Sequence, residues 1–323
     1  MKSGVLTEGS ELPVLVEPSS GNQASFDALL AWVNEARSWI ENRLLRHGAL
    51  LLRGFSVQTP AEFERLCAAL EPQLLDYAGG DSPRTAITAK VYTSTEYPAH
   101  LEIPLHNELS YRHHWPRKLF FFCLQPPDEG GETSLADSRR LLAAIDPVVK
   151  GRFIDKQVAY TQNLHAGWGL GKSWQDTFET DDRSAVENHC RATGTEFRWT
   201  EQGLWTRTVC PAVIRHPNSG EPVWFNQAHL WHVSSRGRKY QDDMLRAFGA
   251  DALPSNACYG DGTPIDNNDL DAIRRACRKT EVMFPWRKGD VLLVDNVLAA
   301  HGRKPFKGER RILVAIGGPN TLL

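Results

Sequence analysis

Three short apolar runs, KLFFFCLQ (118–125), DVLLVDN (290–296) and RILVAIG (311–317), constrain this chain more than any other feature. Each is too short for an ordinary helix, rich in aliphatic and aromatic residues, and bounded by Pro, Gly or Asp, so each reads as a strand of a core sheet. ALLLRGF (49–55) is a fourth run of the same kind. Such strands, far apart in sequence, must find one another across long connections.

The remaining periodic segments are helical. Residues 26–47 place Phe26, Leu29, Val33, Ala36, Ile40 and Leu44 at helical spacing, with Gly48 where a left-handed cap falls, which predicts one amphipathic helix. Thr59-Pro60-Ala61-Glu62 is a capping box with proline at the first helical position, and it opens a second helix carrying Phe63, Leu66 and Leu70. SRRLLAAIDPVVKGRF (138–153) and the polar stretch around 236–280 predict helical insertions, at about 138–192 and 236–280. No repeat, linker or low-complexity segment interrupts the chain, so residues 1–323 read as a single domain, mainly β with flanking helices.

A net charge of −2 gives no global attraction to nucleic acid or an anionic membrane, and favours a small-molecule partner. The six cysteines lie far apart without a CxxC pair, which suits reduced thiols. The N-terminal MKSGVLTEGSELPV lacks the apolar core of a signal peptide, and no apolar run is long enough to span a bilayer; the expectation is a cytoplasmic protein.

The chemistry concentrates in AHLEIPLHNELSY (99–111), which holds two His-x-Glu pairs, His100 with Glu102 and His106 with Glu108. On a strand, residues two apart share a face, so an imidazole and a carboxylate can reach one ion. Such pairs are common by chance, and a third ligand has to decide. His301 is the best candidate, since it follows a strand ending in Asp-Asn and precedes another strand. Two histidines and one carboxylate on one face of an octahedron leave three positions open for a chelating cosubstrate and O2, the arrangement of non-haem Fe(II) oxygenases. Such an enzyme also needs a cation for the distal carboxylate of its cosubstrate. Arg310 and Arg311 lie at the start of a strand, where alternation lets one of them point inward.

With these residues in place, the sequence resembles the Fe(II)/2-oxoglutarate-dependent dioxygenases of the taurine dioxygenase superfamily, and within it the clavaminate-synthase-like and syringomycin-biosynthesis-like branch. HGALLLRGF (47–55), VYTSTEYP (91–98), IPLHNELSY (103–111), PPDEGGETSLAD (126–137), VWFNQAH (223–229) and DNVLAAHGRKPFKGERRILVA (295–315) carry the resemblance, in family order. It implies a double-stranded β-helix, or jelly roll of cupin type. It also implies Fe(II) on His106, Glu108 and His301, with His100 and Glu102 left as a polar approach to the pocket. By the same resemblance Arg311 and Thr133 hold the C5 carboxylate of 2-oxoglutarate, and Arg310 faces outward. Glu108 retains a carboxylate that related halogenases lose, which favours hydroxylation, desaturation or epoxidation over chlorination. Asn107, Thr93, Ser94, Glu96, Tyr97, Asn226 and Gln227 are candidates for the substrate pocket.

The branch implies oxidation of an unactivated C–H bond in an amino-acid-like substrate during specialised metabolite biosynthesis. That substrate could be free, or tethered to an acyl or peptidyl carrier protein docked on the basic SSRGRKY segment (234–240). A metal-binding β barrel without catalysis is the reading from another class, and a carboxylate clamp would have no use in it.

Overall fold

In the computed structural model, which describes residues 1–7, 9–76, 84–95 and 97–321, the apolar runs form the centre of a seven-stranded sheet. Its order is Lys2–Thr7, Ser10–Glu17, Ala49–Leu52, Val291–Asp295, His114–Gln125, Arg311–Thr321 and Tyr92–Thr93. Pairing is antiparallel except between Ser10–Glu17 and Ala49–Leu52. Side-chain alternation explains why the central runs are apolar throughout. Leu119, Phe121, Val294, Ile312 and Val314 face a second sheet, while Phe120, Phe122, Leu293 and Leu313 face the N-terminal helices.

The second sheet has four strands, in the order Val282–Phe284, Thr133–Asp137, Ala299–Arg303 and Ile103–His106. Leu135, Phe284 and Ala299 from it pack into the same core as Leu119, Phe121 and Ile312. A mainly β architecture with flanking helices is thus observed.

Local structure follows the expected caps. Thr59 accepts a hydrogen bond from the Glu62 amide, and the Glu62 carboxylate accepts from the amides of Gln58 and Thr59. Gly48 takes the left-handed conformation at φ 79° that ends the helix before it. The single helix expected over 26–47 is divided at Ala36 into Phe26–Glu35 and Arg37–His47. Its apolar stripe of Leu29, Val33, Ile40 and Leu44 stays buried across the break.

The insertion at 138–192 is only partly helical. Helices Ser138–Ala144 and Pro147–Lys156 give way to the strand Val158–His165, which sits inside a further four-stranded sheet with Glu196–Thr200, Gly203–Cys210 and Ser255–Tyr259. Thr161, Gln162 and Asn163 dilute its apolar alternation, and its partners lie about forty or more residues downstream, so local pattern does not reveal it. The 236–280 insertion forms the expected helices Arg238–Phe248 and Asn267–Thr280, separated by the Ser255–Tyr259 strand.

Candidate active site

Strand register brings the distant histidine home. His106 ends the Ile103–His106 strand and is paired directly with His301 on the antiparallel neighbour; the ring centroids are 4.3 Å apart. Glu108 follows two residues later, where the chain leaves the strand and Leu109 adopts a positive φ of 57°, an unfavourable region for a branched side chain.

Asn296, fully buried, holds this turn. Its Oδ1 accepts from the Glu108 amide at 2.7 Å, and its Nδ2 donates to the carbonyls of Glu108 at 3.0 Å and Pro116 at 2.8 Å. One ligand atom from each of His106, Glu108 and His301 then lies within 4.8 Å of the others, the one group of three metal-ligand residues among those described.

The donor set fits a divalent metal. His106 Nδ1 is 2.9 Å from the Pro104 carbonyl, which suits a proton on Nδ1 and a lone pair on Nε2. Burial, and then the charges of His106 and Arg84, push the His301 imidazole well below its usual pKa, so it is neutral with a lone pair to offer. Its Nε2 is 4.0 Å from Glu108 Oε2, the same oxygen that accepts from Arg84 Nη2 at 3.0 Å.

Beside the triad lies a small cavity of about 40 Å³ lined by His106, His301, Thr133, Ser94, Phe121 and Arg310. Here the expected orientation of the two arginines is reversed. Arg311 is exposed, whereas Arg310 reaches inward, donating from Nε to the Gly131 carbonyl at 3.1 Å and lying 3.5 Å from Ser94 Oγ. Ile312, Val314 and Ile316 face the core, so alternation places Arg310 inside and Arg311 outside. Burial, then the nearby Arg303, lowers the pKa of Arg310 to about 10, which leaves it cationic at neutral pH. Gly131, at φ 68°, permits the close approach: a Cβ there would sit 2.8 Å from Pro127 and 3.2 Å from the Arg310 side chain. Thr133 is buried, and its Oγ1 accepts from Trp286 Nε1 at 3.0 Å, which leaves the hydroxyl proton for the cavity.

A larger mouth of about 280 Å³ opens over His106 and Glu108, bounded by Tyr97, Tyr111, Gln227 and Trp231. A further cavity, about 460 Å³, lies beyond Tyr111 and Trp231, whose rings are 4.7 Å apart, and does not include the triad.

The other expected pocket residues divide. Ser94 lines the small cavity, Tyr97 and Gln227 line the mouth, and Glu96 lies outside the described residues. Asn107 does not line either: adjacent to two inward residues, it points the opposite way, donating to the Asn296 carbonyl at 2.6 Å. Asn226 is likewise structural, donating to the Ala212 carbonyl and accepting from the Ala228 amide. Thr93 accepts from the Thr85 amide and lines an adjoining cavity, with Arg311, that shares Ser94 and Arg310 with the small one. His100 is exposed, and Glu102 pairs with Lys304 at the rim, in keeping with a polar approach. Arg84 and Trp286 carry no motif that marks them in the sequence, while Asn296 and Arg303 lie within the segment 295–315 without a role assigned to them there.

A jelly roll that gathers two histidines and a glutamate beside an inward-reaching arginine and a buried threonine defines a class, the Fe(II)- and 2-oxoglutarate-dependent oxygenases. A family profile described as "Taurine catabolism dioxygenase TauD, TfdA family" matches residues 9–316, and the chain belongs to that family. Dapdiamide synthesis protein DdaC of Enterobacter agglomerans is 38% identical over 281 residues, 87% of this chain and 85% of the relative. A clavaminate synthase-like protein of Arabidopsis thaliana is 28% identical over 331 residues, 96% of this chain and 94% of its own. Among solved structures, PvcB of Pseudomonas aeruginosa, described as an Fe, α-ketoglutarate-dependent oxygenase from an isonitrile synthetic pathway, shares the fold. Its TM-score is 0.54 at 17% identity, covering 94% of this chain and 84% of PvcB. The protein is an oxidoreductase that uses Fe(II) as cofactor and 2-oxoglutarate and O2 as cosubstrates. Among the described residues no helix is long and apolar enough to cross a membrane.

Proposed function

We propose that His106, Glu108 and His301 are the Fe(II) ligands, that Arg310 with Thr133 clamps the distal carboxylate of 2-oxoglutarate, and that the enzyme hydroxylates an unactivated C–H bond of a small amino-acid-like substrate in specialised metabolism. The convergence of the three ligand atoms within 4.8 Å, beside the inward-reaching guanidinium of Arg310, carries this reading. The biosynthetic context draws support from the relatives, one of them a dapdiamide synthesis protein and another an oxygenase of an isonitrile synthetic pathway.

Bound together, Fe(II) and 2-oxoglutarate supply an oxidant made from O2, with succinate and CO2 as by-products. The chain's own residues bind and orient. Arg310 offers a planar fork to a carboxylate in a small, partly enclosed cavity, where a charge-assisted pair is stronger than at the open surface. Thr133, fixed by Trp286, adds a hydroxyl donor. Tyr111 and Trp231 wall the mouth against solvent and confine the substrate over His106 and Glu108.

A carrier-tethered substrate is the finer form of this proposal. Arg236 lines the mouth, and Arg238 and Lys239 are exposed immediately after it, a cationic edge suited to an acidic carrier. Turnover that improves when the same acyl group is presented on a carrier supports it; equal turnover of the free acid assigns a free substrate.

Succinate formation from 2-oxoglutarate under O2 tests the clamp. Arg310→Lys raises the 2-oxoglutarate concentration for half-maximal turnover about tenfold or more, and Arg311→Lys leaves it within roughly twofold. The opposite ranking overturns the assignment.

A further inference from the structure

We propose that the cavity of about 460 Å³ beyond Tyr111 and Trp231 is a second binding site, which takes an amide-bearing carboxylic acid with an apolar body, such as an N-acyl amino acid. The site goes beyond the chemistry at the triad and does not depend on it.

The cavity lies between the main sheet, at Trp115 and Ile316, and the inserted sheet that holds Val158–His165 and Gly203–Cys210. One face of the inserted sheet is apolar at both ends, where Leu204 is paired with Leu164 and Cys210 with Val158, all four buried. Between them the same face carries Thr206 opposite Gln162 and Thr208 opposite Tyr160. A packed face would continue in aliphatic side chains, and this one turns polar where it borders the cavity. Thr206 is 5% exposed, yet its hydroxyl has no hydrogen-bond partner among the described residues. Burying a hydroxyl without a partner is costly, and a ligand that pairs with it removes the cost.

The hydroxyls beside Thr206 are ordered. Thr193 Oγ1 donates to the His189 carbonyl at 2.9 Å and lies 3.1 Å from Thr195 Oγ1, which in turn is 3.2 Å from Thr208 Oγ1. A carbonyl only accepts, so every contact is satisfied when Thr195 donates to Thr193 and Thr208 donates to Thr195. Thr208 then offers the cavity lone pairs, while Thr206 keeps a proton to give. Two residues apart on one strand, these side chains stand about 7 Å apart. An amide, about 2.3 Å from oxygen to nitrogen, bridges a gap of this size with a hydrogen bond of about 2.8 Å at each end.

Arg112 supplies the charge. Its guanidinium lies 5.7 Å over the Tyr111 ring and makes no ion pair or side-chain hydrogen bond among the described residues. Asp76, the carboxylate among the described lining residues, is held by Lys90 at 2.7 Å. Arg112 also borders an adjoining cavity with Glu179, which is exposed and forms no ion pair with it. A planar fork with its donors unused suits a carboxylate. Tyr111, Trp115, Phe178 and Trp231 wall the cavity for an apolar or aromatic body.

The test uses the full-length protein without metal or 2-oxoglutarate. The probes are N-acetyl-L-phenylalanine, its neutral analogue N-acetyl-L-phenylalaninamide, and hydrocinnamate, which lacks the amide. Binding is read by calorimetry and by quenching of tryptophan fluorescence. The N-acetyl acid is expected to bind once per chain, about tenfold more tightly than either of the others. Arg112→Gln removes the preference for the acid over its neutral analogue. Thr206→Val weakens the N-acetyl acid about threefold or more and melts no lower than the parent, because a methyl group replaces an unpaired hydroxyl. The inference is overturned if the acid does not bind at millimolar concentration, if either other probe binds as tightly, or if either variant binds the acid as the parent does. A Thr206→Val variant that melts several degrees lower also overturns it, since the hydroxyl would then be structural. Binding kept by both variants but lost in Leu230→Trp, which fills the mouth, places the probe there and overturns it too. With no iron present, each result stands whether or not the triad binds metal.

Discussion

Asn296→Ala tests how the site is held. In the folded protein the Asn296 side chain makes three buried hydrogen bonds, two with the backbone of Glu108 and one with the Pro116 carbonyl. Alanine leaves one amide and two carbonyls without partners in a region closed to water. Each orphaned group costs about 1 to 3 kcal/mol; because the three are neighbours their costs do not simply add, and about 3 to 5 kcal/mol in total is expected. For a chain of this size that corresponds to a fall in Tm of roughly 4 to 8 °C, read by calorimetry on the metal-free protein. The same change releases the turn in which Leu109 has a positive φ, so Glu108 is no longer aimed at the histidines. Loss of such support weakens metal binding by about ten- to a hundredfold, measured by competition with a chelator. A variant that melts within about 2 °C of the parent would refute the energetic reasoning. A destabilised variant with parental Fe(II) affinity would refute the positioning role.

Two further outcomes follow from the structure. Arg53 and Asp290 form a buried bidentate pair, at 3.0 and 2.6 Å, between strand Ala49–Leu52 and the Val291–Asp295 strand. Arg53→Met strands the carboxylate and costs about 3 to 5 kcal/mol in urea unfolding, while 2-oxoglutarate half-saturation of the folded fraction is unchanged; a cost below about 1 kcal/mol contradicts this. His232 is held neutral, its pKa lowered from 6.5 to about 4 by burial and then by Arg274. Because the unfolded chain takes up this proton first, the stability His232 contributes is complete above about pH 6.5 and is lost as pH falls toward 4, by up to about 3 kcal/mol. Urea titrations between pH 7 and 5 check this: His232→Asn shows a shallower decline than the parent, and equal slopes would show that His232 is already charged in the fold.

The central strands were legible because both of their faces are buried, which makes KLFFFCLQ and DVLLVDN apolar without interruption. That same property hides which way each residue points. Ile312, Leu313, Val314 and Ala315 are all apolar, so the inward parity of the Arg311–Thr321 strand, and with it the choice between Arg310 and Arg311, cannot be read from pattern. The pairing of His106 and Glu108 is a two-residue alternation and is visible locally. His301 becomes their neighbour only through strand register, which long-range pairing sets. The resemblance puts Asn107 near the iron, and the apolar VWF before Asn226 suggests that it points inward, yet their amides satisfy backbone carbonyls, a demand that no motif records. Arg84, Arg303 and Trp286 converge from separate segments and meet only in the fold.

Anaerobic titration of Fe(II) into the protein with 2-oxoglutarate present, followed by the weak visible charge-transfer band, addresses the metal site most directly. The parent is expected to saturate at a single Fe(II) per chain, and His301→Ala to lose the band while remaining folded. A parent without the band, or a His301→Ala variant that keeps it, would mean that these three side chains do not bind the iron.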